Sequence, residues 1–95
     1  MLENRKVYEG HLEAQLAQWK AEIEVIRAKA SRAEVSAKVQ YDQSIEKLQR
    51  IHDDAEHQLC VLRDSADEAW ESLKLSTEKA WTRFRSHFPK PATRT

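Results

Sequence analysis

Apolar residues recur along this chain every three or four positions, almost without interruption. From Tyr8 the stripe runs through Leu12, Leu16, Trp19, Ile23, Ile26, Ala30, Ala33, Ala37, Tyr41, Ile45 and Leu48. It continues through His52, Ala55, Leu59, Leu62, Ala66, Trp70, Leu73, Thr77, Trp81, Phe84 and Phe88, with His52 and Thr77 its polar members. Twenty-two steps over 80 residues average about 3.64, the period of an α-helix and not of a strand. The positions between are filled mostly by Ala, Glu, Gln, Lys, Arg and Leu, all strong helix formers. Gly10, Pro89 and Pro91 lie at the ends, so the pattern predicts helix from Gly10 to Pro89 with no breaker inside it. A mean so close to 11/3 predicts a stripe that runs nearly straight or slightly right-handed.

One helix of that length would be a rod of about 120 Å that cannot cover its own apolar face. A partner helix is therefore required, supplied by the same chain folding back or by a second chain. The expected fold class is all-α, with long amphipathic helices pairing antiparallel, as a helical hairpin or an antiparallel coiled-coil dimer, and no sheet. An approximate mirror about residue 48 favours antiparallel pairing: Tyr8 would oppose Phe88, Leu12 Phe84, Ile23 Leu73, Ile26 Trp70 and Ala30 Ala66. Two places resemble helix starts, Asp53 with Glu56 and the better capping box of Ser65 with Glu68. A turn is accordingly expected near 52–54 or 64–65, within one helical region spanning 1–88. Residues 89–95, with both prolines, read as a flexible tail. The anchors of the stripe are expected to be Tyr8, Leu12, Leu16, Trp19, Ile23, Ile26, Tyr41, Ile45, Leu48, Leu59, Leu62, Trp70, Leu73, Trp81, Phe84 and Phe88.

Composition narrows the function. Sixteen basic residues balance sixteen acidic ones, so the chain has no overall attraction for nucleic acid, and none is expected as a partner. The outer faces carry opposite-charge pairs, Glu34–Lys38, Glu46–Arg50, Glu24–Arg27 and Glu71–Lys74, each worth about 0.2–0.5 kcal/mol. Neither a phosphate loop, nor a CxxC pair, nor a GxSxG elbow occurs, so enzymatic activity and a cofactor are not expected. No apolar run is long enough to span a membrane, and Met1 to Gly10 is too polar for a secretory leader. The single Cys60 fits a reducing, cytoplasmic setting.

Two local features carry candidate chemistry. Ala69-Trp70-Glu71-Ser72-Leu73-Lys74 is repeated eleven residues on as Ala80-Trp81-Thr82-Arg83-Phe84-Arg85, and past Glu78 the cations Lys79, Arg83, Arg85, Lys90 and Arg94 meet no acid. A Trp/Phe face flanked by cations suits a membrane surface, a partner groove or simply the aromatic core of a bundle end. The run from His52 to Cys60 places Asp53 and His57 at i,i+4, His57 and Cys60 at i,i+3, and His52 and Glu56 at i,i+4; such pairs could hold zinc or copper, with Asp53, His57 and Cys60 the candidate trio. A polar loop, a helix cap or a pH-sensitive patch accounts for the same residues without any ion.

The segments 15–23, 27–30 and 41–48, together with the paired Ala-Trp motifs, resemble a group of small bacterial coiled-coil proteins of uncharacterised function. The resemblance covers about Tyr8 to Phe88. It implies a coiled-coil class and transfers no catalytic residue. Where that group carries a glycine near position 66, this chain has Asp64-Ser65-Ala66, which argues against a sharp break there. The leading expectation is a non-enzymatic structural protein that self-associates through the stripe as a homo-oligomer or binds a helical protein partner. The alternatives are an amphipathic membrane-surface or stress-associated helix acting through residues 66–88, and a helical metal binder.

Overall fold

A computed structural model describes residues 2–88, with side chains from Asn4 onward. The expected tail, 89–95, lies outside the described residues. Three helices follow one another: α1 (Leu2–Arg32), α2 (Val35–Arg63) and α3 (Asp67–Arg85). No strand occurs among the described residues. The all-α class and the antiparallel pairing of long helices both hold, with α1 against α2 and α2 against α3.

The unbroken span from Gly10 to Pro89 does not hold, and the reason is local. The chain reverses at Ala33–Glu34 and again at 64–66 without a glycine or proline at either place. In the first turn Ala33 N donates to Ala30 O, and the Glu34 carbonyl opens α2 by accepting from Ala37 N and Lys38 N at 2.9 Å each. In the second, Asp64 N donates to Cys60 O and Ser65 N to Leu62 O, and the Ala66 carbonyl accepts from Ala69 N and Trp70 N. The pivot residues have nearly the same backbone, φ −68° and ψ 157° at Glu34, φ −71° and ψ 159° at Ala66. That extended conformation is open to every L-residue, so neither turn needs a left-handed residue. No described residue has positive φ. The Ser65 hydroxyl does not cap α3. It donates back to Leu62 O at 2.7 Å, and Ala66 is the N-cap, with Asp67 and Glu68 placed favourably in the first turn of the helix dipole.

The turn considered at 52–54 lies in the middle of α2. There His52 and Ala55 face inward while Asp53 and Asp54 are exposed, so this polar run is the solvated side of a continuous helix. Gly10, too, lies inside α1 and not before it.

Three pairs fix how α3 lies on α1: Arg5 with Asp67, Tyr8 with Trp70, and Trp19 with Trp81. Each is offset by 62 residues, so α1 and α3 run in the same direction. The mirror about residue 48 is therefore replaced by a parallel register between the outer helices. Among the described residues no Cα of α1 approaches one of α3 within 8 Å. Aromatic rings bridge that gap. Tyr8 meets Trp70 edge-on at 5.7 Å, and Trp19 is held between Trp81 at 5.3 Å and Phe88 at 4.7 Å. Phe88 reaches Trp19 because the chain turns after α3, with Phe88 N donating to Arg85 O.

The helices differ in length, and that shapes the molecule. At 1.5 Å per residue α1 is about 46 Å long and α3 only about 28 Å, inside overall extents of 52 × 27 × 16 Å. By the 62-residue register Arg85 stands level with Ile23. Below that level the chain is a three-helix bundle. Beyond it, residues 24–44 form a bare two-helix hairpin, the tip.

Candidate functional site

The stripe is spent mostly inside the chain. Leu12, Leu16, Trp19, Ile23, Ile45, Leu48, Leu59, Leu62, Trp70, Trp81 and Phe88 are buried, and Ala30 and Ala55 with them. Tyr8, Ile26, Tyr41, Leu73 and Phe84 are half-buried against that core. Both polar members of the stripe are buried as well, Thr77 completely and His52 nearly so. Gln58 Nε2 donates to Thr77 Oγ1 at 3.2 Å, which gives this hydroxyl its partner. Three features stand apart from this apolar interior.

The first is a knot at the bundle end that the stripe pattern passed over. Arg5 donates from Nε to Glu9 at 3.1 Å and from Nη1 to Asp67 at 2.7 Å. Its Nη2 points at the end of α2, to Arg63 O at 3.0 Å, Ser65 O at 2.7 Å and, at 3.4 Å, Leu62 O. One guanidinium thus closes the carbonyl end of α2 and ties all three helices. The buried Glu9 carboxylate also accepts from Trp70 Nε1 at 3.0 Å. Lys74 Nζ lies over the Tyr8 ring at 5.1 Å and the Trp70 ring at 5.7 Å, an arrangement favourable to cation–π attraction. Of the four surface pairs read from the sequence, Glu24–Arg27 forms, at 3.4 Å. The only signal that could have marked this knot is Arg5 and Glu9 at i,i+4, a spacing common to many solvated faces.

The second feature is the tip. Val25, Val35 and Val39 are 54%, 83% and 57% exposed, and the half-buried Ile26 and Tyr41 lie on the same two helix segments. Val7, Val61 and Leu75, in the three-helix half, are exposed as well, so the tip differs in having no third helix over Ile26 and Tyr41. At the base of the tip a shallow groove of about 640 Å³ is lined by Arg27, Asp42, Ile45, Glu46, Gln49, Arg50 and Asp53. Both charge signs are present along it.

The third is the polar run on α2. Asp53, His57 and Cys60, the trio suggested by spacing, do not converge, and His57 and Cys60 are both exposed. What comes together instead is His52, Asp53 and Glu56, whose ligand atoms all lie within 4.8 Å of one another. His52 Nδ1 is 3.4 Å from Asp53 Oδ1, and Gln49 Nε2 donates to the same carboxylate oxygen at 3.2 Å. The helical wheel explains the difference: His52 turns toward the core while Asp53 beside it stays exposed within reach of its ring, whereas His57 turns to solvent.

Two titrating groups are perturbed. Burial pushes the Tyr8 hydroxyl up; the Glu78 carboxylate adds to that and the Arg85 guanidinium opposes it, across a cleft of about 430 Å³ between α1 and α3. Burial likewise raises Glu22, against a hydrogen bond from Gln18 that lowers it. One Glu22 oxygen is inaccessible and without a hydrogen-bond partner. Trp81 Nε1 shares that condition. No described helix is long and apolar enough to cross a membrane. Comparison with family models, with curated proteins and with solved structures finds no match to this chain.

Proposed function

We propose that this protein is a non-enzymatic interaction module whose three-helix half is a self-contained body and whose hairpin tip joins a second copy of the chain. The observation that carries the reading is the shortness of α3. The core residues that a long-helix dimer would have shared are already buried within one chain, and the pair of helices that α3 leaves uncovered, residues 24–44, is the surface assigned to association. Two tips packed together supply each other with the missing helices and make a four-helix segment. The surface is about 16 Å long and two helices wide, which places it at the low end of specific interfaces, and a micromolar affinity is expected. Expected absence of enzymatic activity and of a cofactor belongs to the same reading.

Sedimentation over a concentration series tests it. The wild-type chain should pass from monomer to dimer, while Val39→Glu, at a position exposed in the single chain, should remain monomeric with unchanged helicity. A wild type that stays monomeric at the highest concentration refutes the proposal. The alternative, docking of the basic segment 66–88 on a membrane surface, asks more of the molecule. Trp70, Trp81 and Phe88 would have to leave a core in which each is at most 6% exposed.

A further inference from the structure

We propose that His52, Asp53 and Glu56 form a divalent transition-metal site on α2. Three donors of suitable chemistry converge there: one imidazole nitrogen and two carboxylate oxygens, all within 4.8 Å of one another. A tetrahedral zinc ion with bonds of about 2.0–2.2 Å holds its ligand atoms roughly 3.4 Å apart. His52 and Asp53 already stand at 3.4 Å. Glu56, exposed and one helical turn from His52, has the rotamer freedom to close the remaining distance.

The parts differ in rigidity in a useful way. His52 is 8% exposed, so its ring is held by packing and gives the site a fixed member. Asp53 is oriented by Gln49, whose Oε1 in turn accepts from Arg27 Nη2 at 3.3 Å, a chain that runs from α1 to the carboxylate. Supporting hydrogen bonds of this kind aim ligands at a metal. The mixed nitrogen and oxygen donor set favours zinc and its neighbours over magnesium or calcium, which take oxygen ligands in larger number. Lys20 and Arg63, which line the same groove as His52 and Glu56, oppose the ion's charge and limit the affinity. Three protein ligands leave at least one position to water, on the open side of the helix.

The test is titration of the full chain with Co²⁺, followed by visible d–d absorption, and with Zn²⁺, followed by calorimetry. One ion per chain is expected, with Co²⁺ bands displaced by Zn²⁺. Because His52→Ala removes a buried ring and can disturb folding, Glu56→Gln and Asp53→Asn, both at exposed positions, are the deciding variants. Each should weaken binding at least tenfold with the far-ultraviolet spectrum unchanged. Cys60→Ser should bind as the wild type does. No bound Co²⁺, or binding that survives Glu56→Gln and Asp53→Asn but is lost in Cys60→Ser, overturns the assignment. None of these readouts depends on whether the tips associate.

Discussion

Replacing Arg5 with Ala is the sharpest challenge to the way the bundle is held together. The guanidinium is only 14% exposed and its partner Glu9 12%, so solvent screens this pair far less than a surface pair. Removing it leaves the Glu9 carboxylate with Trp70 Nε1 as its one remaining donor, and strips the end of α2 of the donor to Arg63 O and Ser65 O. Breaking a buried ion pair from one side costs about 3–5 kcal/mol, and a hydrogen bond from a charged donor contributes about 1.5–3 kcal/mol. The Asp67 arm is mostly exposed and adds about 0–1 kcal/mol. These contributions overlap, and water reaches part of the vacated space, so a net loss of about 2–4 kcal/mol is expected. For ninety-five residues the whole stability is about 5–14 kcal/mol, and the loss should lower Tm by roughly 10–25 °C. Urea unfolding followed by circular dichroism measures it. In a Glu9→Gln background the amide oxygen still accepts from Trp70 and no charge is stranded, so the same Arg5 substitution should cost about 1–2 kcal/mol less. Arg5→Lys should recover less than half of the loss, because an ammonium cannot fork toward a carboxylate and three carbonyls. A loss below about 0.5 kcal/mol with no coupling to Glu9 would refute the reasoning.

Further outcomes follow from single positions. Gly10 lies within α1 with open space where a Cβ would stand, so Gly10→Ala should raise stability by about 0.5–1 kcal/mol, read as a higher urea midpoint at unchanged slope. For Glu22 the folded chain holds the proton more tightly than the unfolded chain, whose value is near the ordinary 4.5. Its contribution is therefore fully favourable below pH 4.5 and is lost as pH rises through the higher folded value. Glu22→Gln should be the more stable protein at neutral pH, by no more than about 0.5 kcal/mol at a partly open site, with the advantage vanishing below pH 4.5. A constant advantage across the range would remove the titration argument. Mixed with anionic vesicles, the chain should stay in the supernatant with no blue shift of tryptophan emission; co-sedimentation would favour the membrane-surface reading.

The period of the stripe was enough to read helices, their inward faces and the aromatic anchors, because burial of an amphipathic face leaves its mark at every third or fourth residue. Of the two turns, the one at 64–66 was legible only as the Ser65–Glu68 box, one of two places considered, and the one at Ala33–Glu34 was not legible. A reversal that pivots on one extended residue needs no special side chain, so Glu34 and Ala66 look like any other residue of a helix. Nor does the stripe change phase across them, since Ala30–Ala33–Ala37 and Leu62–Ala66–Trp70 keep the same three- and four-residue steps. The parallel register of α1 and α3 followed once there were two turns instead of one. Of the polar run on α2, Asp53 and the i,i+4 pair of His52 and Glu56 were each legible as donors, but not their meeting. Which neighbour Asp53 meets depends on the inward rotation of His52, a property of the whole bundle. Arg5 lies three residues before the first member of the stripe, and its acceptors are mostly backbone carbonyls some sixty residues away, which no local spacing records.

The aromatic gap between α1 and α3 also makes the molecule its own optical gauge. All three tryptophans stand in that seam, Trp19 on one side and Trp70 and Trp81 on the other, while Tyr41 belongs to the tip. Stacked indoles 5.3 Å apart couple their electronic transitions, so near-ultraviolet ellipticity and tryptophan emission read the docking of α3 alone. The two tyrosines divide between the ends, Tyr8 in the seam against Trp70 and Tyr41 at the tip. With Tyr8 replaced by Phe, the tyrosine band would belong to the tip and the tryptophan band to the seam, and a partner's point of attachment could be told by which band moves first.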